Sequence, residues 1–152
     1  MKNKPKAAGL TLIELMLTVV ASGIVFITVA LILMMAFWTW RTNNAYADLR
    51  RNAALAAYMM TQDVRESSYD GLSGGAGLLT VESAVTNQTS TYTQIGETLI
   101  YTSGTDTLLI IPEGVQNFSA LKQNDGVELT LELVNTNFTI AVTNQLFVNT
   151  RN

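Results

Sequence analysis

The stretch MKNKPKAAGLTLIELMLTVVASGIVFITVALILMMAFWTW (residues 1–40) decides how this chain is built. From Leu10 to Trp40 every side chain is apolar, small or hydroxylated except Glu14. Leu15 to Trp40 is an uncharged run of 26 residues. As a helix it would extend about 39 Å, more than the hydrocarbon layer of about 30 Å. Lys2, Lys4 and Lys6 precede the run, and a short basic start favours the cytoplasmic side, so the remainder is expected to face outward. Arg50 and Arg51, beyond the run, weaken that charge argument without reversing it. Trp38, Trp40 and Arg41 close the run as an interfacial belt does. The run is roughly twice as long as the apolar core of a cleaved signal peptide, and no A-x-A site follows it. An uncleaved signal anchor is the plain alternative, and either way the bulk of the chain lies outside the cytoplasm.

Helix signals continue past Arg41. RTNNAYADLRRNAALAAYMMTQDVRESSYDG (residues 41–71) has no Pro and no Gly before its last residue. Ala45, Leu49, Ala53, Ala56, Met60 and Val64 recur every three or four residues and so share one face, while Asp48, Arg51, Gln62 and Arg65 fall largely elsewhere. The pattern predicts one helix from about Thr11 to Ser68, roughly 85 Å long. A domain this small cannot bury such a helix; it must pair with copies of itself or place its first half in a membrane. Asp63 and Arg65 read as exposed helix charges, Asp63 near Glu66 and Arg65 near Asp70, with contact to a partner subunit as the alternative. Tyr69-Asp70-Gly71 and GLSGGAGLL (residues 71–79) read as a helix stop and a linker. No GK[ST] follows the glycines, so a phosphate cradle is not expected.

From Leu78 onward the chain is strand-like and rich in Thr, Asn and Val. ETLIYT (97–102), TLLIIP (107–112), VQNFSAL (115–121), GVELTLELV (126–134), FTIAVT (138–143) and QLFVN (145–149) are short β segments. In the fourth, Val127, Leu129, Leu131 and Leu133 take one face and Glu128, Thr130 and Glu132 the other. QNDG before it and NTN after it read as hairpin turns. An antiparallel sheet is expected, its apolar face against the distal half of the long helix.

Composition narrows the function. The chain has 152 residues, no cysteine and no histidine, which removes disulfides, thiolate nucleophiles, the usual zinc sites and a Ser-His-Asp triad. From Glu66 onward nine acidic residues face only Lys122 and Arg151, a net of −7, so no basic surface invites nucleic acid. Asp106, Glu113, Asp125, Glu128 and Glu132 occupy turns and a solvent face without a hydrolase-like pairing, so the chain is not expected to be an enzyme and no cofactor or metal is implied. Asn87, Asn117 and Asn137 each begin an N-x-[ST] triplet, which reflects Asn and Thr abundance.

Glu14 stands fifth after Gly9. The segment Gly9-Leu10-Thr11-Leu12-Ile13-Glu14, behind a short basic leader and ahead of an unbroken apolar run, resembles the N-terminus of type IV pilins and pseudopilins. The departure is Leu10, where Phe is the commonest residue of the family. The resemblance implies that a prepilin peptidase cuts between Gly9 and Leu10 on the cytoplasmic face and methylates the new amine of Leu10. The mature chain would run from Leu10 to Asn152, 143 residues. It also implies that Glu14 meets the N-terminus of a neighbouring subunit. A membrane carboxylate costs several kcal/mol unless it is paired or reaches the interface. The amine, with a reference pKa of about 7.7–8.0, supplies the opposite charge. A mis-staggered neighbour would leave both charges buried and alone, so the contact sets register. On the residues alone, Glu14 snorkelling to the headgroups is the alternative.

MMTQDVRESSYDG (59–71), with Met60, Asp63, Val64, Arg65, Tyr69 and Gly71, is similar to the end of the long helix in minor pilins of the PilW group and minor pseudopilins of the GspJ type. GAGLLTVESA (75–84) and Arg151-Asn152 point the same way. No Pro interrupts the apolar run, whereas many major pilins carry one, and Gly23 is expected to permit close helix packing.

The expected fold is therefore α+β, a long N-terminal helix whose C-terminal half packs on a small antiparallel β domain. Residues 1–9 would be a cleaved leader, 10–40 a transmembrane and filament-core helix, 41–70 its amphipathic continuation and 71–152 a β-rich outer-face domain. The implied function is a structural subunit of a type IV pilus-like filament, a minor pilin acting in assembly or initiation. A minor pseudopilin of type II secretion, a major pilin and, more distantly, a signal-anchored binding domain are the alternatives. Implied partners are other major and minor pilin subunits, prepilin peptidase, the inner-membrane assembly platform and, before assembly, membrane lipid. The implied location is the inner membrane first and an extracellular or periplasmic filament afterwards.

Overall fold

The computed structural model describes residues 11–123 and 125–150. These form a helix, α1 (Leu12–Glu66, 55 residues), followed by β1 (Ser67–Gly75), β2 (Leu78–Ser83), β3 (Thr89–Ile95), β4 (Thr98–Ser103), β5 (Asp106–Ile111), β6 (Val115–Gln123), β7 (Gly126–Asn135) and β8 (Ile140–Asn149). The helix is unbroken: no Pro enters it, and its single glycine, Gly23, costs only about 1 kcal/mol relative to Ala. It stops where the Ser67 hydroxyl donates to the Val64 carbonyl at 2.7 Å, taking up an acceptor that the next turn would have used.

The chain divides into two compact units, one ending at Arg41 and one beginning at Thr42. In the first, every side chain from Thr11 to Arg41 is exposed. An 18-residue window of this helix reaches a mean hydropathy of 2.7, and none of it is buried. A helix apolar all round needs cover, and this stretch finds none among the described residues.

In the second unit α1 buries Leu49, Ala53, Ala56, Met60 and Val64, with Ala45 half-buried at the margin. This is the face that the three-and-four spacing marks. The fold class is α+β: the helix contacts antiparallel sheets of five strands, in the order β1-β2-β3-β4-β5, and three strands, in the order β6-β7-β8. Leu79, Val81, Tyr92, Leu99, Ile110 and Ile111 enter the core from the first sheet. Val115, Phe118, Ala120, Val127, Leu129, Leu131 and Leu133 enter it from the second, the last four by the alternation expected of β7.

Two sheets stand where one was expected. Ile111 ends β5, and Pro112, which has no N–H to give a ladder, begins a short corner closed by Gly114 at φ +85°. There the chain leaves the first sheet and starts the second. The glycine-rich segment is likewise not a linker. It forms most of β1, pairing Leu72, Ser73, Gly74 and Gly75 with Val81, Thr80, Leu79 and Leu78. Gly74 is needed there because a Cβ would come within 2.5 Å of the Ala120 carbonyl oxygen of β6. The sheets are stitched at this point: Gly77 N–H donates to Phe118 O at 2.7 Å, and Ala76 bridges Ser119.

FTIAVT and QLFVN are a single strand, β8, which pairs with β7 along its whole length. Phe138 and Thr139 belong to the preceding turn, with Thr139 at φ +54°. β2 and β3 lie outside the segments read as strands above, their Thr and Ser lowering the hydrophobic contrast. The expected turns at QNDG and NTN are present: Gln123 pairs with Gly126, and Asn135 with Ile140.

Candidate functional site at the start of the helix

Thr11 and Glu14 close a reciprocal cap. The backbone N–H and the hydroxyl of Thr11 donate to Glu14 Oε2 at 3.0 and 3.1 Å, and Glu14 N–H lies 3.4 Å from Thr11 Oγ1. This is a capping box, in which a Thr and a Glu three residues on satisfy two donors that a helix start leaves unpaired. The sequence signal T-x-x-E ahead of an apolar run was available. It shows that the carboxylate has a partner within its own chain. Gly9 and Leu10, the expected cleavage and methylation positions, lie outside the described residues.

Leu15 to Trp40 follows as a helix whose hydroxyls are satisfied internally. Thr18 donates to the Glu14 carbonyl, Ser22 to Val19 O at 2.9 Å, Thr28 to Ile24 O at 2.8 Å and Thr39 to Met35 O at 2.9 Å. A hydroxyl bonded back to its own helix makes no demand on the surroundings, so these residues do not spoil an apolar segment. Gly23 leaves a bare notch, with nothing within 4 Å of the Cβ position. At the far end Phe37 and Trp40 lie 6.1 Å apart, and the Arg41 guanidinium lies 5.8 Å from the Phe37 ring centroid.

The distal helix holds a second polar feature. Asp63 is not an exposed helix charge but half-buried, and the Tyr92 hydroxyl donates to its Oδ2 at 2.7 Å. Burial raises the Asp63 pKa; the Tyr92 hydrogen bond acts against that rise, and the nearby Glu66 adds to it. Burial and the adjoining Asp63 carboxylate push the Tyr92 phenol up, so it stays a donor. The Tyr92 ring packs 5.0 Å from that of Tyr101. The signal was Tyr92 itself, the aromatic in TSTYTQI, on the opposite face of β3 from Thr91 and Thr93. Arg65 remains exposed beside Tyr58, Thr61, Gln62 and Glu66.

Asp106, Glu113 and Asp125 are exposed, and Glu128 and Glu132 alternate with the buried leucines of β7. Among the described residues no group of three or more acidic side chains gathers in a metal-holding arrangement. Comparison with protein-family models, curated proteins and solved structures returns no match to this chain. The architecture itself, a long N-terminal apolar helix packed on antiparallel sheets, is pilin-like.

Proposed function

We propose that this chain is a structural subunit of a type IV pilus-like filament, a minor pilin acting in assembly or initiation. The observation that supports this most is a continuous helix with two solvents: uncharged and uncovered from Leu15 to Trp40, packed on sheets from Leu49 onward. Prepilin peptidase would cut after Gly9 and methylate Leu10. The segment 10–40 would then hold the protein in the inner membrane, its N-terminus cytoplasmic, until the assembly platform moves it into a bundle of like helices. Lipid and neighbouring helices are interchangeable cover for such a surface, so transfer changes its neighbours without exposing it to water. The chain's part is mechanical, and energy for the transfer would come from a separate motor. A type II secretion pseudopilin or a major pilin would use the same steps.

One observation favours a second reading. The Thr11–Glu14 cap gives the carboxylate a purpose that needs no neighbour, as a signal-anchored outer-face domain would require. Two variants separate the roles. Glu14→Gln keeps a capping box, since Gln serves at that position, but removes the charge. Thr11→Ala removes the cap and keeps the charge. For a filament subunit, Thr11→Ala protein appears in sheared surface filaments and Glu14→Gln protein stays in the membrane. For an anchored domain, neither variant nor the parent chain enters a filament fraction.

A further inference from the structure

At about 100° per residue, Arg51, Leu55, Tyr58, Gln62 and Arg65 fall within about 80° of one another on α1. The middle of that stripe lies about 180° from the middle of the buried face of Leu49, Ala53, Ala56, Met60 and Val64. Its centre is apolar and aromatic, with Leu55 51% and Tyr58 68% exposed, and a guanidinium stands at each end. Asp48 and Glu66 lie about 60° from its middle, just beyond its edge, where Glu66 accepts from the Gln62 side chain at 3.3 Å. Among the described residues neither Arg51 nor Arg65 has a carboxylate partner. Exposed Tyr and Arg, here aligned opposite a core face, are residue types enriched in protein contacts.

The outer face of the three-stranded sheet carries the complement. Across β6, β7 and β8, Leu121, Glu128 and Phe147 form one row, and Asn117, Glu132 and Thr143 another two rows along. Leu121 is 55% and Phe147 50% exposed, so an apolar pair flanks a carboxylate. Asp125 stands exposed in the β6–β7 turn. From Asp125 to Glu132 is about 24 Å of strand, and from Arg51 to Arg65 about 21 Å of helix. From β1 through β8 the one basic residue is Lys122, whose ammonium is engaged by the Leu72 carbonyl at 3.2 Å and the Tyr69 ring at 3.9 Å. Among the described residues Glu128 accepts from the Gln123 side chain at 2.7 Å, and neither it nor Glu132 has a cationic partner.

We infer that the Arg51–Arg65 stripe of one molecule docks on the Leu121–Glu128–Phe147 face of a second copy of the same chain. The two surfaces match in span, apolar content and opposite sign of charge. The stripe points away from the face that the sheets cover, so one molecule cannot join them by itself. An anionic membrane would attract the arginines but repel the sheet face. A contact between two different faces of one chain is heterologous, and such contacts propagate unless the rotation closes a ring. The inference rests on the filament reading and adds that copies can follow one another in it.

The chain has no native cysteine, so introduced thiols are unique. Two differently tagged full-length chains are co-expressed in membranes, one Tyr58→Cys and one Phe147→Cys, with Thr91→Cys on the other sheet as control. Oxidation is expected to link the first pair well above the control. Arg51→Glu with Arg65→Glu in the Tyr58→Cys chain should lower that yield about tenfold or more, and Glu128→Lys with Glu132→Lys in the partner should restore it. Linkage no better than the Thr91→Cys control, or no restoration by the reciprocal charges, overturns the contact. If the chain enters filaments without this link, the contact alone fails. If the link forms with its charge rescue but the chain never enters a filament, the contact stands and the filament reading fails.

Discussion

Tyr92 and Asp63 are 29 positions apart in sequence and 2.7 Å apart in the fold. Tyr92→Phe leaves a half-buried carboxylate without its donor, which should destabilise the domain by about 1–3 kcal/mol, read by denaturant unfolding of the full-length protein in detergent. Because burial raises the Asp63 pKa, the folded state binds the proton more readily than the unfolded chain. This group therefore contributes more stability when protonated. Its contribution should fall as pH rises from the unfolded-state value, about 3.9, through the raised folded value, and Asp63→Asn should flatten that part of a stability–pH profile. Gln94 is a third case. Its side chain accepts from Phe118 N–H at 2.9 Å and donates toward Val115 O at 3.3 Å, joining the two sheets. Gln94→Leu should cost about 1–3 kcal/mol in the same assay. None of these pairings is legible in sequence, since each depends on which strand the fold places beside which. The Thr11–Glu14 cap is different: its partners are three residues apart, so the sequence carried it and only the rival meaning of Glu14 obscured it.

At the scale of elements, local periodicity carried most of the reading. The buried stripe of α1 and the alternation of β7 follow from spacing alone, because each reflects one element facing one core. Reading failed where composition and role diverge. Glycine in GLSGGAGLL signals a loop by propensity, yet Gly74 serves in a strand because β1 must pass close to Ala120. Gly74→Val should destabilise the domain by about 1–3 kcal/mol or more, seen as a lowered unfolding midpoint, since the obstructing atom is backbone and cannot rotate aside. The threonines of β2 and β3 hid two strands for a related reason: on a solvent face Thr suits a sheet, but it leaves little hydrophobic contrast to read. The break between the sheets depends on a corner at Pro112 and Gly114, and neither residue alone tells whether a chain turns within a sheet or leaves it.

For the whole molecule, the dominant fact is a helix with two environments. The same element that supplies five buried residues to a domain core also presents an uncovered apolar surface long enough to cross a membrane or to act as a signal anchor. A charge placed within the apolar run, such as Ile27→Arg, should cost about 2.5–3.5 kcal/mol of insertion and shift protein out of the membrane fraction. The pilin account joins this helix to a specific event at its start, and that event is the most direct test. Intact mass and N-terminal peptides would be measured on membrane-extracted protein from cells with and without prepilin peptidase. The account predicts a chain beginning at methylated Leu10 only when the peptidase is present. A chain still beginning at Met1 in peptidase-positive cells would contradict it and leave an anchored outer-face domain in its place.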